Sequence, residues 1–257
     1  MMFYLCRLVR VPRVGAALRM SALGALLLFS GGCEAEFDLS DIRAREQAAL
    51  RDTDRFQAAA ANKSWVVLVG NGGIVLVSAD RGGTWSRSRL PADTPLLFPD
   101  LIDVAVCPDG TFVALDGARG VWFSARNVER WARGPILLKE EGFDLTCDSQ
   151  GRVWVVGAFM SIVSSSDKGQ TWDDQSLGDD AIFTSVQFIG PDEGVIVGEF
   201  GLYYRSTDRG ASWVAQSPIP NEFYPLAALF RDSDKGWLAG LQGTILFTPD
   251  GGVTWTK

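Results

Sequence analysis

Four carboxylates in this chain recur in one setting. Asp80, Asp167, Asp208 and Asp250 stand in the phrases SADRGGTW, SSDKGQTW, STDRGASW and TPDGGVTW, which share the form Ser/Thr-x-Asp-x-Gly-x-Thr/Ser-Trp. An Asp beside a Gly can ligate a divalent cation, move a proton, or accept backbone N–H groups in a tight turn. A calcium loop needs several more oxygen ligands at alternating positions than one Asp supplies. Asp and Ser side chains readily accept hydrogen bonds from amides a residue or two along, and Gly supplies the positive φ that closes a reversal. The phrases therefore predict hairpin turns, and no metal is expected.

Other catalytic chemistry is scarce. The 257 residues contain no histidine, which excludes Ser-His-Asp and Cys-His nucleophile systems and histidine-ligated zinc or haem. No glycine-rich loop follows a strand and opens a helix, so phosphate and dinucleotide motifs are absent. Paired acids remain: Asp173 with Asp174, Asp179 with Asp180, and Glu140 with Glu141. Adjacent residues of a strand point to opposite faces, so none of these pairs converges. No catalytic residue and no cofactor is expected.

The positioning elements follow from the tryptophans that end the phrases. Trp85, Trp131, Trp172, Trp213 and Trp255 are 46, 41, 41 and 42 residues apart, with SARNVERW as a degenerate fifth phrase. That period is the length of a four-stranded propeller blade, a unit that needs neighbours on both faces. Short β-favouring runs at 74–77, 162–164, 202–205 and 245–247 lead into the phrases. Eight residues before each Ser or Thr, Gly70, Gly157, Gly198 and Gly240 close the apolar runs VVLVG, VWVVG, GVIVG and GWLAG. First strands fall at 103–106, 185–188 and 226–230, and from Arg55 onward. The expected fold is all-β, a single propeller of about five four-stranded blades over residues 55–257. Residues 34–54 form a closing segment, in which some part of Glu36 to Gln47 pairs beside residues 254–256; its alanines and charges also permit a helix.

Residues 1–33 read as an export signal: Arg7, Arg10, Arg13 and Arg19 precede the apolar SALGALLLFS, and SGGC ends at Cys33. The pattern resembles a lipoprotein signal with Cys33 as the acylated residue, although Ser30 replaces the usual Leu; an ordinary signal peptide is the alternative. The expected location is the periplasm of a bacterium, anchored by lipid to the inner or outer membrane. Losing those four of the 24 basic residues leaves 20 against 31 acidic ones, a net charge of −11. Such a surface repels nucleic acid. Cys107 and Cys147 end the first strands of adjacent blades and are either bridged, as an oxidising compartment allows, or buried thiols.

The phrase SxDxGxTW preceded by VGxxG, as in VGNGGIVLVSADRGGTW, VGEFGLYYRSTDRGASW and AGLQGTILFTPDGGVTW, resembles the Asp-box or BNR repeat as arranged in photosystem II stability/assembly factor-like proteins. The resemblance covers residues 55–257. It implies that Asp80, Trp85, Asp167, Trp172, Asp208, Trp213, Asp250 and Trp255 are structural. It also implies a non-enzymatic, monomeric scaffold that binds or helps assemble a membrane protein or membrane-complex subunit. The factors resembled have seven blades, and this chain has fewer repeats. The alternative is a glycan-binding or sialidase-like glycoside hydrolase propeller, which requires a FRIP-like arginine segment for which FDLSDIR is a poor substitute.

In a propeller the box turns share one face, and the loops joining strands two and three share the other with the crossovers between blades. On that loop face the sequence places Phe98, Arg119, Phe159, Met160, Phe200, Phe223 and Tyr224 as partner-binding residues, with Leu96, Leu97, Phe143, Phe183 and Leu241 nearby. Clustered apolar loop residues mark either an interaction surface or plugs of the channel mouth. The second repeat adds Arg119, Arg126, Arg130 and Arg133, either an anion anchor or solvated arginines around a decayed turn.

Overall fold

The structure of the protein is a computed structural model. It describes residues 48–91 and 98–257; the signal, Cys33, the segment from Glu36 to Gln47, Leu96 and Leu97 lie outside them.

Five antiparallel sheets follow one another as blades. Blade 1 holds β1 (Phe56–Ala61), β2 (Val66–Gly70), β3 (Ile74–Ser78) and β4 (Ser86–Arg89). Blade 2 holds β5 (Leu101–Val106), β6 (Phe112–Asp116), β7 (Val121–Ser124) and β8 (Trp131–Arg133). Blade 3 holds β9 (Gly142–Cys147), β10 (Val153–Gly157), β11 (Ser161–Ser165) and β12 (Asp173–Asp174). Blade 4 holds β13 (Phe183–Ile189), β14 (Glu193–Gly198), β15 (Tyr203–Ser206) and β16 (Val214–Ala215). Blade 5 holds β17 (Pro225–Phe230), β18 (Gly236–Gly240) and β19 (Ile245–Thr248), and a Phe247–Thr256 bridge begins its outer edge. The first strands β1, β5, β9, β13 and β17 all line a central channel.

Alternation along the strands fills the spaces between blades. Val67, Val69, Val75 and Val77 of blade 1 pack on Leu101, Ala114 and Trp122 of blade 2. Leu115 and Val121 pack on Val155 of blade 3, while Trp154 and Val156 pack on Phe183 and Ile196 of blade 4. Val195, Val197 and Tyr203 then pack on Leu238 of blade 5. The opposite face of blade 5 is open to solvent at Leu229 and Ile245, 62% and 57% exposed.

Polar stitches near the axis tie the same interfaces. Asp103 accepts the Leu145 N–H at 2.9 Å and Asp144 accepts that of Val186 at 2.8 Å. Gln187 exchanges two 2.7 Å bonds with the Phe230 backbone.

The glycines that end the second strands answer to a close approach and not to an unusual φ, since Gly70 has φ −172° and Gly157 −178°. A Cβ at Gly70, Gly157, Gly198 or Gly240 would fall against the carbonyl of Arg55, Glu141, Ile182 or Tyr224 in the incoming crossover. The next residue then donates its N–H to that carbonyl, from Asn71, Ala158, Glu199 and Leu241 at 2.9 to 3.4 Å.

Cys107 and Cys147 form a disulfide with Cα atoms 5.0 Å apart. The two strand ends meet because neighbouring first strands lie side by side around the channel. Closing a loop of 40 residues removes denatured-state entropy worth about 4 kcal/mol in the chain-entropy account. The C107S/C147S protein is expected to lose about 2–4 kcal/mol in urea unfolding. An unchanged midpoint would mean that the bridge carries no stability.

Candidate functional site

The four intact boxes are built alike. The Ser78 hydroxyl donates to Asp80 Oδ1 at 2.7 Å and accepts the Gly82 N–H at 2.7 Å. Thr84 donates its N–H and hydroxyl to the two Asp80 oxygens at 2.8 and 2.7 Å. The same bonds recur for Asp167 with Ser165 and Thr171, for Asp208 with Ser206 and Ser212, and for Asp250 with Thr248 and Thr254. Two successive left-handed residues close each turn, Arg81 and Gly82 at φ 58° and 94° in blade 1. The Thr84, Thr171 and Ser212 donors hold Asp80, Asp167 and Asp208 down at about 2, and Thr254 lowers Asp250 likewise. Both oxygens of each carboxylate are thus engaged within the turn. The box tryptophans close interfaces with the preceding blade: Trp213 lies edge-on to Trp154 and Phe188, and Trp255 to Tyr203 and Phe230.

Blade 2 keeps the turn without the carboxylate. Val128 occupies the glycine position at φ 59° and is 2% exposed, while Ser124 accepts the Phe112 N–H. Its four arginines do not converge. Arg126 and Arg130 belong to the box turn after β7, whereas Arg119 precedes β7 and donates to the Lys139 carbonyl at 3.0 Å. Arg133 pairs with buried Asp116 at 3.2 Å and lies over the Trp122 ring. Asp116 also accepts the Trp122 indole N–H at 2.7 Å, an arrangement repeated by Asp148, Arg152 and Trp154 in blade 3. The sequence reading missed both Asp-to-Trp clamps; their shared D-x5-W spacing was the available signal.

On the loop face the two–three connection of blades 1, 3, 4 and 5 is a short 3-10 turn with two left-handed residues. The first of the pair is Gly72 in blade 1, Phe159 in blade 3, Phe200 in blade 4 and Gln242 in blade 5. Phe159 and Phe200 hold φ 54° and 58° while their rings are 50% and 60% exposed. Phe98, more than a third exposed, carries the Arg89 guanidinium 5.1 Å from its ring centre, and Arg119 is exposed. Phe223 and Tyr224 are half-buried, with Phe223 packed into the core between blades 4 and 5. Two expectations are corrected. Met160 is 3% exposed and Phe183 fully buried, both in the core between blades 3 and 4. Met160, as the second left-handed residue, turns inward, and Phe183 starts a strand with its ring toward blade 3.

The channel contains the convergent acids that no adjacent pair supplied. Asp103 and Asp144 occupy the same repeat position in blades 2 and 3, next to Ser185 of blade 4. Burial, and then the neighbouring Asp103, push Asp144 well above the carboxylate range.

The fold and its boxes define an Asp-box β-propeller. A family model described as photosynthesis system II assembly factor YCF48 matches residues 123–217. The photosystem II assembly lipoprotein Ycf48 of Synechococcus sp. (strain CC9902) is 29% identical over 150 residues, 56% of this chain and 44% of that protein. The Ycf48 protein of Thermosynechococcus vestitus is 34% identical over 112 residues, 41% of this chain and 32% of that protein. The matched region thus spans less than half the length of these curated relatives. The solved structure of YCF48 from Cyanidioschyzon merolae aligns with TM-score 0.62 at 15% identity, over 79% of this chain and 69% of that one. YCF48 bound to D1 peptide aligns at 0.52 and 17%, over 76% and 77%. At such identities the structures speak to the fold alone. The chain is a β-propeller with a stretch similar to photosystem II assembly factors. No helix among the described residues is long and apolar enough to cross a membrane.

Because the box carboxylates sit below the usual aspartate range, their stabilisation is present above that range and is lost as pH falls, for Asp80, Asp167 and Asp208 through about 2. Thermal stability is expected to drop steeply between pH 4 and 2. The Asp208→Ala protein should melt lower at neutral pH and show a shallower acid slope. Equal melting temperatures at pH 7 would remove the structural role of the box.

Proposed function

We propose that the protein is a non-enzymatic exported scaffold that holds a membrane protein or membrane-complex subunit on its loop face. The observation that carries this reading is the display of Phe159 and Phe200 at left-handed loop tips. A bulky side chain there costs of order 1–3 kcal/mol, and such strain clusters at binding sites. Blade 1 has glycine at the same place, so the turn itself does not call for phenylalanine. Rigid aromatic anchors of this kind dominate interface energies. The likeness to assembly factors supports a membrane-protein client, as does the D1 peptide named for one related structure.

The same reading makes the boxes turns and leaves the acids without a catalytic task. Asp103 and Asp144 each accept a backbone N–H of the next blade, which accounts for their position without a substrate. Phe98, Arg119 and Tyr224 extend the binding face, with Phe223 supporting it from beneath. Cys33 carries the lipid anchor, in line with the lipoprotein names of relatives; several acyl chains together hold a protein firmly to a bilayer. The scaffold acts as a monomer.

Replacing Phe159 and Phe200 together with Gly removes the rings and relieves the left-handed strain. Capture of the client from solubilised membranes of the source organism should fall about tenfold or more, the scale of one anchor at ~1.4 kcal/mol, with no loss of melting temperature. Undiminished capture would move the binding face elsewhere. Cys33→Ser should shift the protein from the membrane to the soluble fraction, and persistent membrane association would count against the anchor.

A further inference from the structure

Repeat-equivalent positions can be compared from blade to blade, because blades 2 to 5 each turn three residues toward the preceding blade at the loop-face end and blade 1 has the equivalent positions. By strand register these are Phe56, Leu68 and Leu76 in blade 1, and Leu101, Ala114 and Trp122 in blade 2. They are Gly142, Val155 and Val163 in blade 3, Phe183, Ile196 and Tyr204 in blade 4, and Pro225, Leu238 and Leu246 in blade 5. Blade 4 fills the space with two rings, Phe183 and Tyr204, edge to face at 5.3 Å. Blade 2 fills it with Trp122, 3% exposed. Blade 3 has two valines there, and at Gly142 the Cβ position is taken up by Val155 and by Leu115 of blade 2.

What remains in blade 3 is a half-open cavity of about 260 Å3. Gly142, Val155 and Val163 form its floor, Leu138 and Phe159 its apolar sides, and Lys139, Glu140 and Asp174 its rim. A dry cavity of about 150 Å3 suffices for benzene, and drug-sized ligands need about 300–1,000 Å3. The space is therefore that of one side-chain ring. Apolar walls favour the ring, and rim groups of both signs can meet the amides on either side of it.

We propose that this cavity between blades 2 and 3 receives an aromatic side chain of a polypeptide held on the loop face, in the place that Tyr204 fills from within in blade 4. The inference rests on the loop-face reading and specifies it: the client segment carries a Phe, Tyr or Trp that inserts beside Phe159. The exposed Phe159 ring forms the lip, so the strained tip and the cavity act on the same ligand group.

The test uses the whole protein and free N-acetyl-phenylalanine amide and N-acetyl-tyrosine amide, with N-acetyl-valine amide as control, followed by saturation-transfer NMR. Transfer to the ring protons is expected in the unaltered protein, with little to the valine amide. Val163→Tyr, which restores the blade 4 residue, should reduce it at least fivefold without lowering the melting temperature. If that variant does not fold, Val163→Leu, the blade 5 residue, should also reduce transfer. No ring transfer in the unaltered protein, or equal transfer in the filled variant, would overturn the proposal. The probe reports on the cavity and client capture on the loop tips, so failure of one is distinguishable from failure of the other.

Discussion

The loop face depends on one close approach of two backbones. Where the crossover enters blades 1, 3, 4 and 5, its carbonyl lies in the space a Cβ would occupy on the glycine ending the second strand. Only glycine allows that contact. The amide after the glycine then bonds to the same carbonyl, which fixes the start of the two–three loop against the crossover. Two residues remain to reverse the chain, and both take left-handed φ. The positions of Phe159 and Phe200, and the mouth of the blade 3 cavity beside Phe159, follow from this geometry. Blade 2 has Asp116 in place of the glycine and builds its loop differently, with the carboxylate accepting the Ala118 and Gly120 amides.

The proposed binding residues and the box turns lie at opposite ends of the same strands. At the box end every Asp oxygen has a donor, left-handed positions fall mostly to glycine or to exposed Arg and Lys, and the tryptophans sit between blades. The box carboxylates are thus satisfied within their own turns. At the loop end, aromatic rings remain exposed on strained backbone, and a gap remains between blades 2 and 3. Local rules broken without local compensation are the places where function is expected.

The architecture was legible because its signals are periodic. Tryptophan spacing set the blade length, and the box chemistry set the turn. The glycines before each loop were equally visible, but their reason was not, since a steric contact with a crossover from another blade has no sequence signature. Met160 and Phe183 were misplaced on the surface for a related cause: a loop or strand-start residue faces core or solvent by one step of backbone parity. Asp103 and Asp144 stood 41 residues apart, one period, and could have been paired by aligning the first strands; attention to adjacent acids hid them. The cavity is visible only by subtraction, once strand register shows which residues of different blades are equivalent.

The central claim is that the loop face, and not the box face, meets the client. A photoreactive benzoylphenylalanine at position 200, and separately at position 168 in the blade 3 box turn, can be activated in intact cells of the source organism. The account predicts a crosslink to a membrane protein from position 200 and none from position 168. A membrane-protein crosslink from the box position alone would contradict it.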